Sequence, residues 1–216
     1  MTTDARSRTT WRDHPATRVL GSAFGWFSGA LAITLLFQSV TALSDLVGFC
    51  ARGGPYEIAV ECTDAIVAFT PTSVLGGLAA VFIGSLLAQG FGASMLAFAW
   101  PALFVSLSVT FFRSFALYAD WSGLLIGIMF LAMGLAPLVL MLRAAPQRTI
   151  LGRVDARGEA FWEPHPSQPH LLSLRRPKEP GENHATAGDW LLSVGVAIGA
   201  VTAGVWLGVV WFGAVA

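Results

Sequence analysis

IVAFTPTSVLGGLAAVFIGSLL, residues 66–87, carries no charged side chain. Only Ala88, Gln89 and Gly90 separate it from a second charge-free run, FGASMLAFAWPALFVSLSVTFF, residues 91–112. Each run is 22 residues long, enough to cross the ~30 Å of hydrocarbon that needs about 20 helical residues. A helix exposed to water needs a polar face, and these runs have none, so they face lipid. Lipid offers no partner to backbone N–H and C=O groups, which makes a helix the only open-chain solution. The short link predicts a tight helical hairpin.

The same signature recurs at 19–44, 121–142 and 190–216. The 216-residue chain is 55% hydrophobic and 12% charged, about half the charged share of a soluble domain. The fold class expected is all-α, a polytopic membrane helix bundle with five transmembrane helices. They fall at 19–44, 66–88, 91–112, 121–142 and within 190–216. The first run exceeds the ~7–15 residues of a signal-peptide core, although Val40, Thr41 and Ala42 have the form of a cleavage site. Net charge is zero, which argues against nucleic acid as a partner. The cations are almost all arginine, and with abundant alanine and glycine this reads as coding bias.

Orientation follows from the cations. The 1–18 tail holds Arg6, Arg8, Arg12 and Arg18. The 143–189 segment holds Arg143, Arg148, Arg153, Arg157, Arg175, Arg176 and Lys178. Five spans place both regions on one side, which is therefore expected to be cytoplasmic. The expectation is N-in/C-out in a bacterial cytoplasmic membrane. The external parts are then a 45–65 loop, a 113–120 loop and the C-terminus. Arg113 and Asp120 could pair across the second loop. Within 143–189, residues 149–162 read as a β-hairpin turning at Asp155 to Gly158. The proline-rich 163–188 stretch reads as extended.

Cys50 and Cys62 are the only cysteines, and both fall in the external loop. An even number of thiols on an oxidising face reads as a structural disulfide. A redox pair would want a CxxC and a relay, and neither is present. Inside the ring stand Arg52, Gly53, Gly54, Pro55, Tyr56 and Glu57. Arg52, Tyr56 and Glu57 are the candidates for an interaction with a partner, against the plainer reading of a folded cap. The loop, with Gly-Gly-Pro-Tyr followed by a second cysteine before a helix, resembles that of uncharacterised small actinobacterial integral membrane proteins. Those often have Cys-Pro where this chain has Cys62-Thr63. The resemblance implies no activity.

Chemistry has little to stand on within the spans. They hold no His, no Lys and no acid at mid-depth, so haem ligation, a retinal-type Schiff base and a coupled proton pathway are not expected. The histidines, His14, His165, His170 and His184, lie in the expected cytoplasmic parts and lack the four-ligand framework of a zinc site. Met95, Met129 and Met133 read as packing rather than as copper ligands. Thr34, Ser106, Ser108 and Thr110 can bond their own helix carbonyls. Gln38 is expected to reach a neighbouring helix near the outer interface. No catalytic, cofactor or metal residue is assigned.

The strongest pattern is one of small residues four apart, which share a helix face. Gly21, Gly25 and Gly29 form one stripe, and Gly76, Ala80 and Gly84 a second. Gly123 and Gly127 form a third, and Gly195, Gly199 and Ala203 a fourth, with Gly204 and Gly208 on a parallel stripe. Such faces let backbones approach where lipid removes the hydrophobic drive between helices. Five spans cannot bury every stripe on one another, so a partner is expected on at least one. The function expected is non-enzymatic: an accessory or scaffold subunit, packing on other membrane proteins or on itself. The alternative is a component of a transporter or channel that works as an oligomer or with a partner. Pro101 and Pro137 would then kink helices around a cavity.

Overall fold

The structure is a computed structural model and describes residues 15–45, 61–88, 91–144, 146–152 and 187–215. The elements are α1 (Pro15–Asp45), α2 (Asp64–Ala88), α3 (Met95–Tyr118), α4 (Trp121–Ala144), a short α5 (Pro146–Leu151) and α6 (Ala187–Val215). All but α5 are long and apolar enough to cross a membrane, with spans of 22 to 28 residues. At 1.5 Å per residue that is about 33–42 Å, so the chain is a multi-pass membrane protein. No strand forms among the described residues.

α1 is the hub. It packs along α2 and α6 and touches α3, whereas α4 leans almost entirely on α3. The expected hairpin of the second and third runs is not a packing unit, because α2 and α3 only brush past each other. Gly92, at φ 77°, turns the chain out of helical geometry. Residues 91–94 run across the end of the bundle before α3 starts at Met95.

The interior is inverted relative to a soluble protein. Ser22, Ser39, Ser108 and Ser193 are almost fully buried, while Leu75, Leu125 and Leu191 stand about 70% exposed. In lipid an exposed leucine costs nothing and a buried serine lets helices close in. The four hydroxyls expected to bond within their own helix do so. Thr34 donates to the Ala30 carbonyl at 2.8 Å, Ser108 to Val105 at 2.9 Å, Ser106 to Leu103 at 2.8 Å and Thr110 to Ser106 at 3.4 Å.

One end of the bundle is tied by α5. The Gly92 N–H donates to the Leu151 carbonyl at 3.1 Å and the Ser94 N–H to that of Thr149 at 3.0 Å. From α6, Ser193 Oγ donates to the Ile150 carbonyl at 2.7 Å. Leu151, with no exposed surface, packs with Phe91 and Trp190. This overturns the first arm of the expected hairpin: residues 149–151 are helical. Pro146 fits the first helical position, where its missing N–H has no partner to lose. Burying Leu151 under α6 and the 91–94 crossing then favours one helical turn over a solvent-facing strand. Gly152, next in line, makes only an isolated bridge with Phe91, and residues 153–162 lie outside the described residues.

The other end differs from expectation as well. α3 runs on through Arg113 to Tyr118 and stops at Ala119, whose left-handed backbone (φ 53°, ψ 33°) returns its N–H to the Phe115 carbonyl. The expected 113–120 loop therefore shrinks to Ala119 and Asp120. The two charges do not pair. Arg113 reaches Asp45 at the end of α1, 3.1 Å away. Asp120 caps α4 instead, accepting from the Ser122 N–H at 3.0 Å and the Ser122 hydroxyl at 2.6 Å. The serine hydroxyl holds its carboxyl below the usual carboxylate range; desolvation opposes it next, and the Ser122 and Gly123 N–H groups add smaller lowering effects.

Candidate functional site: helix faces built from small residues

The stripe Gly21, Gly25, Gly29 is the seat of α2. A Cβ placed on Gly84 would stand 2.5 Å from the Gly25 Cα and 3.2 Å from the Gly21 carbonyl oxygen. One on Gly21 would stand 2.5 Å from the Leu87 Cβ, and one on Gly29 2.9 Å from a Val81 methyl. Carbon atoms attract best at ~3.5–4.0 Å, so glycine is required on both helices at this crossing. Met95, at the start of α3, presses its sulfur against Gly25 and packs with Val81 and Ala88.

The expected α2 stripe is divided by the structure. Gly84 serves the α1 contact, whereas Gly76 has nothing within 4 Å of a Cβ position. The adjacent Gly77 takes the inner role, 2.6 Å from the Ala32 Cβ. Sequence spacing offers no means of choosing between two adjacent glycines. On α4, Gly123 would meet the Phe111 carbonyl at 3.1 Å and Gly127 the Phe112 ring at 2.7 Å, so this stripe is the α3 contact. Gly134 extends it, 3.2 Å from the Pro101 carbonyl. It lies seven residues beyond Gly127, not four, and so escapes a search for four-residue spacing.

On α6 the two stripes part. Gly208 would stand 2.9 Å from Thr34 Cβ, and Gly204 abuts the Phe27 carbonyl, so this pair seats α6 on α1. Among the described residues Gly195 and Gly199 have nothing within 4 Å, and both are exposed, as is Ala203. The bundle thus uses one α6 stripe and leaves the other unused.

Two hollows adjoin these faces. A cleft of about 420 Å³ opens between α1, α3, α4 and α6, with Gly25, Trp26, Phe98, Leu138 and Val205 among its walls. Among the described residues its only polar side chains are Trp26 and Thr34. α4, which carries Pro137 inside it, forms one wall. Pro137 leaves the Met133 carbonyl without its helical donor, and Trp100 Nε1 supplies one at 3.2 Å. A second groove, also about 420 Å³, lies over α1 beside α2 and reaches Trp211 of α6. Phe69 closes that end, edge-on to Trp211 and tilted against Phe212.

Cys62, just ahead of α2, is not a free thiol. Cys50, Arg52, Tyr56 and Glu57 lie outside the described residues, as do all four histidines. Met129 and Met133 stand exposed on α4. Among the described residues no three His, Cys, Asp or Glu side chains gather as metal ligands would. Compared with models of protein families, with curated proteins and with solved structures, the chain finds no match.

Proposed function

We propose that this chain is a non-enzymatic membrane protein, an accessory or scaffold subunit that joins a larger assembly through its spare helix faces. One observation carries the reading. The glycines fall into two groups, those on which the chain's own helices close and those, Gly195 and Gly199 foremost, that meet nothing. A close-packing face on the outside of a bundle suits another helix better than fluid lipid, which gains nothing from a flat glycine surface. The reading includes N-in/C-out insertion in a bacterial cytoplasmic membrane and an external loop closed by Cys50 and Cys62. Cys62's lack of a free thiol supports that closure, since the chain has only two cysteines.

Co-purification in mild detergent tests the reading. The wild-type chain should carry one or more membrane partners, and Gly199→Leu should shed them while its own helical content stays unchanged. A wild-type chain that purifies alone and moves a solute across liposomes would reverse the assignment. That outcome belongs to the alternative, a component of a transporter or channel. The cleft lined by Leu135 and Leu138, on either side of Pro137, is the feature that favours it.

A further inference from the structure

The five spans fall into two groups. α1 carries α2 and α6 along its length, while α4 leans almost entirely on α3. The cleft of about 420 Å³ lies where the groups meet: Gly29 of α1 and Val205 of α6 stand on one side, Ala102 of α3 and Leu138 of α4 on the other. At the far end of α3, Arg113 reaches Asp45 of α1, but both side chains are nearly half exposed, which makes for a weak tie. At the end where α3 begins, the tie is α5.

Only Ala145 separates α5 from α4, and α5 packs on both α4 and α6. The last four carbonyls of a helix have no donor within it. In α5 those of Thr149, Ile150 and Leu151 find donors elsewhere: the Ser94 N–H, the Ser193 hydroxyl and the Gly92 N–H. The donors come from both groups, since Ser193 belongs to α6 and residues 92–94 lead into α3. A helix of six residues does not hold by itself, because isolated helices below about 12–15 residues are marginal. α5 therefore docks and melts as one unit. Its docked state also carries a cost. Trp190, 6% exposed and packed with Leu151, keeps a buried indole N–H without a hydrogen-bond partner. Release of α5 returns that donor to the membrane interface, which accommodates tryptophan well.

We propose that α5 is a releasable strap: docked, it holds its end of α4 toward α6; undocked, it lets the α3–α4 pair roll away and widen the cleft to lipid. α3 keeps its seat on α1 during this movement, where Met95 presses on Gly25, so the pair turns about α3. Leu138 lies about two turns before Pro146, and a shift at the strap moves that wall of the cleft directly. The inference goes beyond the accessory reading and uses none of the outward glycines.

Hydrogen exchange and spin-label distances, measured on the full chain in lipid nanodiscs, test it. Nitroxides on Leu140→Cys of α4 and Ile198→Cys of α6, sites 66% and 61% exposed, report the separation of those helices. Ser193→Ala removes one hydrogen bond from the strap, so exchange at Gly92 and Ser94 should rise about 2- to 10-fold. A longer distance should appear between the labels at the same time. Leu151→Ala should do both more strongly. Ser39→Ala, which removes a hydroxyl bonded within its own helix, should do neither. Exchange or distance that stays at the wild-type value in both strap variants overturns the proposal, since α5 is then an end cap only. Exchange around Gly84 that rises together with that at Gly92 also overturns it, because the bundle then loosens as one body. Neither outcome touches the accessory reading, which stands or falls with partner recovery at Gly199.

Discussion

Gly84→Ala is the sharpest perturbation of the bundle's own packing. The added methyl would sit 2.5 Å from the Gly25 Cα and 2.9 Å from its nitrogen. Relief to a contact distance of ~3.5–4.0 Å requires α1 and α2 to part by about 1–1.5 Å. Neither side can yield by rotating a side chain, because both are backbone. Overpacking of this kind costs about 1–3 kcal/mol, and separation would also loosen the neighbouring Gly21 and Gly29 contacts. Gly76→Ala is the matched control. It lies on the same helix, within the same apolar span, and meets nothing within 4 Å in the chain. Alanine's better helix propensity would favour it by up to ~1 kcal/mol. Both variants should be compared by reversible unfolding in bicelles or by thermal melting of helical signal in detergent, with the protein dilute enough to be monomeric. The expected order is Gly84→Ala below wild type and Gly76→Ala at or above it. Equal stability of Gly84→Ala and wild type would refute the close approach of α1 and α2 on which the fold rests.

Further expectations concern the ends of the bundle and Pro137. Trp100→Phe removes the donor to the Met133 carbonyl and should cost about 1 kcal/mol; in a Pro137→Ala background the helix supplies that donor, so the cost should shrink in a double-mutant cycle. Leu151→Ala empties a fully buried site, should destabilise by about 2–5 kcal/mol, and should expose α5 to protease before the spans are touched. Asp120 has a folded pKa below its unfolded value, so its cap on α4 contributes stability above about pH 4. That contribution is lost as pH falls through the lower folded value. Hydrogen exchange of the Ser122 and Gly123 amides should rise there beyond its intrinsic pH dependence, and Asp120→Asn should flatten the response.

Length and charge alone make the five spans legible, because a run of 22 residues without charge is too long and too uniformly apolar for an element that faces water. Their ends are less legible. Hydropathy falls where Arg113 enters, so the apolar run ends at residue 112, yet the arginine stays helical by reaching Asp45. A long side chain carries its charge out of the apolar layer without ending the helix. At the other end, Phe91 and Ala93 are as apolar as any helical residue, and only the positive φ at Gly92 reveals that the chain crosses there. Residues 149–151 read as strand from their β-branched and apolar character, but the burial of Leu151 decides otherwise. Which glycine of Gly76 and Gly77 faces inward depends on the rotation of α2 about its axis. That angle is set by every contact along α1, and no local pattern encodes it.

Hydrophobicity distinguishes core from surface in a soluble protein, but here it cannot, since Leu125 facing lipid and Leu35 facing Phe212 are equally content. The quantity that still carries information is close approach. A glycine inside a helix forgoes up to ~1 kcal/mol relative to alanine, and Gly21, Gly25 and Gly84 recover that by letting two backbones touch. Gly76, Gly195 and Gly199 recover nothing within the chain. Glycine is frequent in membrane helices generally, so an idle glycine alone would mean little. For Gly76, Gly195 and Gly199 only recovery of a bound partner separates a docking face from composition. Gly76 lies on α2 and Gly199 on α6, so the two faces can fail separately.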